Sequence, residues 1–140
     1  METSNETALR SAGLRATVGR VAVLEALASM PHSDAEHVFR VVVSALPTTS
    51  IQSVHNILAD LTTAGLTRRI EPAGSAALYE RRVGDNHHHV VCSQCGAVAD
   101  IDCVVGHTPC LAPSTTAGFT VQTAEVTFWG ICPECAVLAA

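Results

Sequence analysis

Apolar residues recur at helical spacing through the first half of the chain and at strand spacing through the second. Residues 17–30, TVGRVAVLEALASM, set Val18, Val21, Leu24, Leu27 and Ala28 in one stripe, with Thr17 as N-cap and Pro31 ending the run. A second helix is predicted over SDAEHVFRVVVSAL, capped by Ser33 or Asp34, with Val38, Val41, Val42 and Ala45 inward and Pro47 closing it. The third, SIQSVHNILADLTTAG, starts at Ser50, buries Ile51, Val54, Leu58 and Leu61, and stops at Gly65. LTRRIE and ALYERR then flank PAGSA, a hairpin signal.

Three short helices and a hairpin describe a winged helix-turn-helix, although any small helical bundle with a hairpin shares the pattern. The outward face of the third helix favours the first reading. Gln52, Ser53, His55 and Asn56 are short polar groups that reach base edges without repelling phosphate, as a recognition helix requires. After Arg82 the texture changes. HHHVVC, AVADIDC and FTVQTAEVTFWGIC read as valine-rich strands, residues 104–117 as a proline-bearing loop, and PECAVLAA as one terminal helical turn.

Charge divides the chain at the same place. All eight basic residues are arginines at or before Arg82, where eight acids balance them, so residues 83–140 hold the whole net charge of −5. The first half can meet phosphate through local arginines; the acidic half would be repelled from it. The expected division is a winged-helix DNA-binding domain over 1–83 and a metal-binding dimerisation domain over 84–140, an α+β protein in all. The polar start METSNETALR lacks the basic and apolar regions of a signal peptide, and no apolar run is long enough to span a bilayer. A cytoplasmic protein is expected.

In a reducing compartment six cysteines point to metal more than to disulfides. Cys92-x-x-Cys95 and Cys132-x-x-Cys135 each offer two thiolates, and together they close a tetrahedral four-sulfur site of the kind zinc prefers. A thioredoxin-like redox pair and a pair of disulfides are the weaker alternatives. Such a site leaves no position open for chemistry, so its role is structural. The histidines just before it belong to a different site. On a strand, His87 and His89 share a face while His88 points away, which makes half of an N/O site for a divalent metal. Glu80 and Asp100 are the carboxylates near it in sequence, and His32, between the first two long helices, is a further imidazole.

With these pieces in place the chain resembles the ferric uptake regulator (Fur) family of dimeric, metal-dependent repressors over nearly its full length. The resemblance rests on GLRATVGRVAVLEAL, HSDAEHVF, AGLTRRIEPAGSAALYE, HHHVVCSQCGAVADID and WGICPEC. RVGDNHHHVVCSQCG with DIDCVVGHTPC and AEVTFWGICPEC looks most like the actinobacterial FurA/CatR branch, repressors of catalase-peroxidase genes. It implies a regulatory Fe(II) or Mn(II) site of His32, Glu80, His87, His89 and Asp100 that bridges the two halves. It also implies structural Zn(II) on Cys92, Cys95, Cys132 and Cys135, Arg15 in the minor groove, and His55 and Asn56 at recognition-helix contact positions. The implied partners are an inverted-repeat duplex operator and a second copy of the chain.

Some residues depart from the family pattern. His55 stands where tyrosine is usual. Asp100 resembles the peroxide-sensing members, whereas Glu80 leans toward the iron-sensing ones. A further metal site of some members would map to Asn86, His88, His107 and Ala124, where alanine and asparagine are poor ligands. The expected function is repression relieved by hydrogen peroxide, with Fe(II)-driven oxidation of His32 or His87 releasing the operator. The alternative is an iron- or zinc-responsive uptake repressor that senses metal level only. An oxygenase built on two histidines and a carboxylate, and a zinc-stabilised interaction module without DNA, are rivals from other classes. Cys103 and Cys110 are read as small buried hydrophobes, with a disulfide sensor as the minor alternative.

Overall fold

Side-chain caps start the helices. Thr17, Asp34 and Ser50 accept hydrogen bonds from the backbone N–H groups of Arg20, His37 and Ser53, and these caps open α2 (Val18–Ser29), α3 (Ala35–Ala45) and α4 (Ile51–Thr63). The computed structural model describes residues 3–81, 87–102, 114–122 and 125–139. A fourth helix, α1 (Ser4–Ser11), precedes the three that periodicity predicts. Its signal is a capping box, in which Thr3 and Glu6 satisfy each other's backbone N–H. Only Leu9 of α1 is fully buried, too little for a visible stripe.

The chain divides into two compact units, Met1–Val83 and Gly84–Ala140. In the first, α1, α3 and α4 pack on α2 around a core running from Leu9 through Leu24, Leu27, Val38, Val54, Leu58 and Leu61 to Tyr79. Because α2 is contacted by α1, α3 and α4, its buried face differs from the predicted stripe. Val23, Leu24, Ala26 and Leu27 are buried, whereas Val18 is 74% exposed and Ala28 lies outside the core. Val41, Ala45 and Ile51 are likewise exposed. Gly65, at φ +79°, turns the chain out of α4, and Leu66 N–H closes on the Leu61 carbonyl at 2.9 Å. An antiparallel wing follows, β1 (Arg68–Ile70) against β2 (Leu78–Glu80). Helices and wing together form the winged helix-turn-helix.

The described residues of the second unit form a three-stranded sheet in the order β4-β3-β5, followed by α5 (Pro133–Ala139). The central β3 (His87–Cys92) pairs antiparallel with β4 (Val98–Asp102) and parallel with β5 (Thr127–Gly130). The predicted third strand is therefore far shorter than FTVQTAEVTFWGIC. Residues 119–122 are irregular with Phe119 exposed, and among the described residues of that segment the strand is the stretch with a partner in β3. The terminal helix runs to two turns, not one. Most of the expected 104–117 loop, with Cys103, Cys110, Pro109, Pro113 and His107, lies outside the described residues, as do Asn86 and Ala124.

Candidate metal centres

Parallel pairing of β3 and β5 sets Cys92 opposite Gly130, so both strands end at the same edge. Each then runs into a Cys-x-x-Cys turn. The first is tightened by Gly96 at φ +79° and by Cys92 N–H to the Ala97 carbonyl at 2.8 Å. The second leads into α5, where Ala136 N–H bonds the Cys132 carbonyl at 2.9 Å. The sulfurs of Cys92, Cys95, Cys132 and Cys135 consequently lie within 4.8 Å of one another, with Cys95 Sγ and Cys132 Sγ at 3.7 Å. A tetrahedral zinc with bonds of about 2.3 Å needs sulfurs about 3.8 Å apart, so the cluster fits that ion.

Backbone dipoles favour negative charge at this edge. Cys132 N–H points at Cys92 Sγ at 3.4 Å, and Cys135 N–H at Cys132 Sγ at 3.4 Å. Donors from the backbone of Cys132, Cys95 and Gln94 draw the Cys92 thiol down to about 6. The crowding sulfurs of Cys132 and Cys95 push Cys135 up to about 12. Four thiolates so close repel one another until a cation joins them, which is the behaviour of a metal cage.

The histidine cluster of the second unit follows from strand alternation. His87 and His89 point to one face, with ring centroids 5.0 Å apart and the planes at 78°. Asp100, paired with His89 across β3 and β4, sends Oδ1 to 3.6 Å from His87 Nε2 and 3.4 Å from His89 Nε2. Both imidazoles are nearly buried. Two nitrogens and a carboxylate oxygen at such separations suit neighbouring positions around one divalent ion. His88 is turned away, also buried, and its Nδ1 has no hydrogen-bond partner among the described residues.

The first unit holds the other two predicted ligands. Tyr79 N–H bonds the Ser33 carbonyl at 2.9 Å, an isolated bridge that lays the turn after α2 beside the wing. Neighbours of that bridge meet in consequence, with His32 Nε2 at 2.9 Å from Glu80 Oε2. The carboxylate is only 1% exposed, and His32 takes φ +60°, a region uncommon for residues other than glycine. Burying a carboxylate is costly unless a cation, hydrogen bonds or a proton compensates it, and a metal ion beside His32 is one such compensation.

The predicted DNA-facing residues are spread over the outside of the first unit. Gln52, His55 and Asn56 are exposed on α4, with Gln52 Nε2 donating to Asn56 Oδ1 at 3.0 Å; Ser53 is half-buried. Arg15 is exposed in the turn before α2, and its carbonyl accepts from Arg20 Nη1 at 3.0 Å. Sequence reasoning passes over Arg20, because an arginine in the first turn of a helix looks like any solvated charge.

A winged helix-turn-helix joined to a sheet closed by a four-thiolate cage is the architecture of a metal-dependent transcriptional regulator. The model of the Ferric uptake regulator family matches residues 11–128, and the chain belongs to that family. Over 129 residues, 92% of this chain and 88% of the relative, it is 55% identical to the transcriptional regulator FurA of Mycobacterium tuberculosis. The fold is shared with the Vibrio cholerae ferric uptake regulator Fur at TM-score 0.69 and 22% identity, covering 92% of this chain and 100% of that one. It is shared equally with the Campylobacter jejuni peroxide stress regulator, at TM-score 0.68 and 23% identity, covering 96% and 100%. Proteins of this family are DNA-binding, dimeric regulators and not enzymes, which sets the oxygenase reading aside. Among the described residues no helix is long and apolar enough to cross a membrane.

Proposed function

We propose that the protein is a cytoplasmic repressor of oxidative-stress genes, catalase-peroxidase genes among them, that releases its operator when hydrogen peroxide oxidises a ligand histidine. Structural Zn(II) is held by Cys92, Cys95, Cys132 and Cys135. His32, Glu80, His87, His89 and Asp100 are the ligands of a regulatory Fe(II) or Mn(II), as the family resemblance implies. The observation that carries the proposal is the aim of two imidazoles at one Asp100 oxygen. That is a mixed N/O donor set of the kind in which Fe(II) stays open to small oxidants. The 55% identity to a FurA regulator is in keeping with the reading.

Bound Fe(II) supplies the reduction of peroxide and an oxidant that adds oxygen to a nearby ring, chemistry that Mn(II) does not readily perform. The chain's own residues do the rest. Burial of His87 and the contact of His32 with Glu80 hold both rings in fixed orientations. Oxygen on either ring weakens its donor nitrogen and the carboxylate contact it makes. Arg15, Gln52, Ser53, His55 and Asn56 contact the inverted-repeat operator, with α4 in the major groove.

Peptide mass mapping tests this. Protein loaded anaerobically with Fe(II) or Mn(II) would receive a low dose of peroxide. One added oxygen on the His32 or His87 peptide, with iron only and with loss of operator binding, is expected. Unmodified histidines in iron-loaded protein that stays on DNA would discard the peroxide reading in favour of a regulator that senses metal level alone.

A further inference from the structure

The guanidinium of Arg20 makes two bonds that reach different parts of the first unit. Nη1 donates to the Arg15 carbonyl at 3.0 Å, and Nη2 to Asp60 Oδ2 at 3.2 Å, forty residues away on α4. The backbone of Arg20 is itself fixed, since its N–H is capped by Thr17 Oγ1 at 3.2 Å. Thr17 N–H bonds the same Arg15 carbonyl at 3.0 Å. Arg20 is 19% exposed, so the bridge is partly shielded, while Asp60 is 52% exposed and remains open to solvent.

We infer that Arg20 and Asp60 are positioning residues for DNA recognition, a clamp that holds the backbone at Arg15 at a fixed distance from α4. The inference rests on the proposal that Arg15 and α4 contact DNA. A protein that reads two adjacent grooves must hold both reading elements in register with the duplex. The turn before α2 is short and its arginine exposed, so without the clamp its ordering would be completed only on binding. Ordering one mobile side chain costs about 0.5–1.5 kcal/mol, or roughly two- to tenfold in affinity. The bond pair demands a planar two-headed donor, which lysine does not supply.

Asp60 makes the inference testable, because its charge alone predicts the opposite result. A carboxylate near the DNA-facing helix repels phosphate, so its removal should tighten binding if it does nothing else. If Arg20 instead contacted a phosphate, its loss would lower the salt slope of binding by about one unit. The clamp requires weaker binding at an unchanged salt slope.

The experiment uses full-length Mn(II)-loaded dimer and the tightest duplex it selects from a random library, read by fluorescence anisotropy from low to moderate salt. Thermal melting reports folding. Asp60→Ala, Arg20→Ala and Arg20→Lys are each expected to weaken binding about threefold or more with an unchanged salt slope. The charge-removing Arg20→Ala is the variant that would lower the slope if Arg20 met a phosphate, and a lowered slope there overturns the clamp. In an Arg15→Ala background, Asp60→Ala should have little further effect. Asp60→Ala protein that binds as tightly as the parent, or more tightly, overturns the clamp. So does a deficit that persists undiminished alongside Arg15→Ala. If Arg15→Ala itself binds like the parent, the assignment of Arg15 to DNA fails and the clamp with it. If Arg15→Ala is weak while Asp60→Ala is not, only the clamp fails.

Discussion

Removing the metal from the four-cysteine cage should unfold the second unit and leave the first intact. The two units differ sharply in what holds them. The first has a continuous apolar cluster from Leu9 to Tyr79. Among the described residues of the second, Val91 and Cys92 are the buried apolar side chains, and the other buried groups are His87, His88 and His89. Burying a valine contributes roughly 1.5–3 kcal/mol. Ordering the backbone costs about 1–2 kcal/mol for every residue of β3, β4 and β5, which the apolar burial among the described residues does not by itself offset. A structural zinc site supplies roughly 10–16 kcal/mol, comparable to or larger than the whole stability of a typical domain. Cys132→Ser, or a strong chelator, should therefore expose the β3 amides to exchange while those of α2 and α4 stay slow. Hydrogen exchange followed by NMR, with metal loss verified by native mass spectrometry, reads both units at once. The dimer should dissociate in the same step, because exposed Phe128, Trp129 and Val137 sit on elements that the cage joins. Slow β3 amides in verified metal-free protein would refute the reasoning, as would simultaneous loss of the α2 and α4 protection.

Three further outcomes are expected. His89→Ala should abolish Mn(II)-dependent operator binding while leaving one zinc per chain by metal analysis; loss of zinc as well would mean the two centres are not separable. Leu58→Ala, at a fully buried position of α4, should cost about 2–5 kcal/mol in urea unfolding of the first unit; a cost under 1 kcal/mol would argue against a tightly packed core there. Asp34→Ala removes the α3 cap and should cost about 1 kcal/mol near neutral pH. Partial burial pushes the Asp34 carboxyl up, but the His37 N–H, the His37 ring and Arg40 outweigh it and hold the carboxyl below its ordinary value. A carboxyl depressed in the folded state stabilises above its unfolded pKa and loses that contribution as pH falls through the folded one. The gap between parent and variant should thus narrow below about pH 4; a gap that widens on acidification would contradict that sign.

Much of this protein is written in short stretches of its sequence. Thr17, Asp34 and Ser50 start their helices because a cap acts within three residues. The Cys-x-x-Cys pairs and the His87/His89 alternation are equally local, being properties of one turn and one strand. Even the overlooked α1 carried its capping box at Thr3 and Glu6, a signal independent of the rest of the fold.

Tertiary structure decided which of these local pieces meet. Nothing near Cys92 specifies that β5 will lie parallel to β3 with Gly130 opposite it, yet that register gathers the four sulfurs. Nothing near His32 specifies the Ser33–Tyr79 bridge that sets it against Glu80. The buried face of α2 shifted from the predicted stripe because α1, α3 and α4 all pack on it, and periodicity reports only that one side is apolar. Arg20 gained its meaning the same way, through a carboxylate forty residues on. Caps and alternation act over distances the chain fixes covalently, whereas contacts between distant segments depend on how the whole core closes.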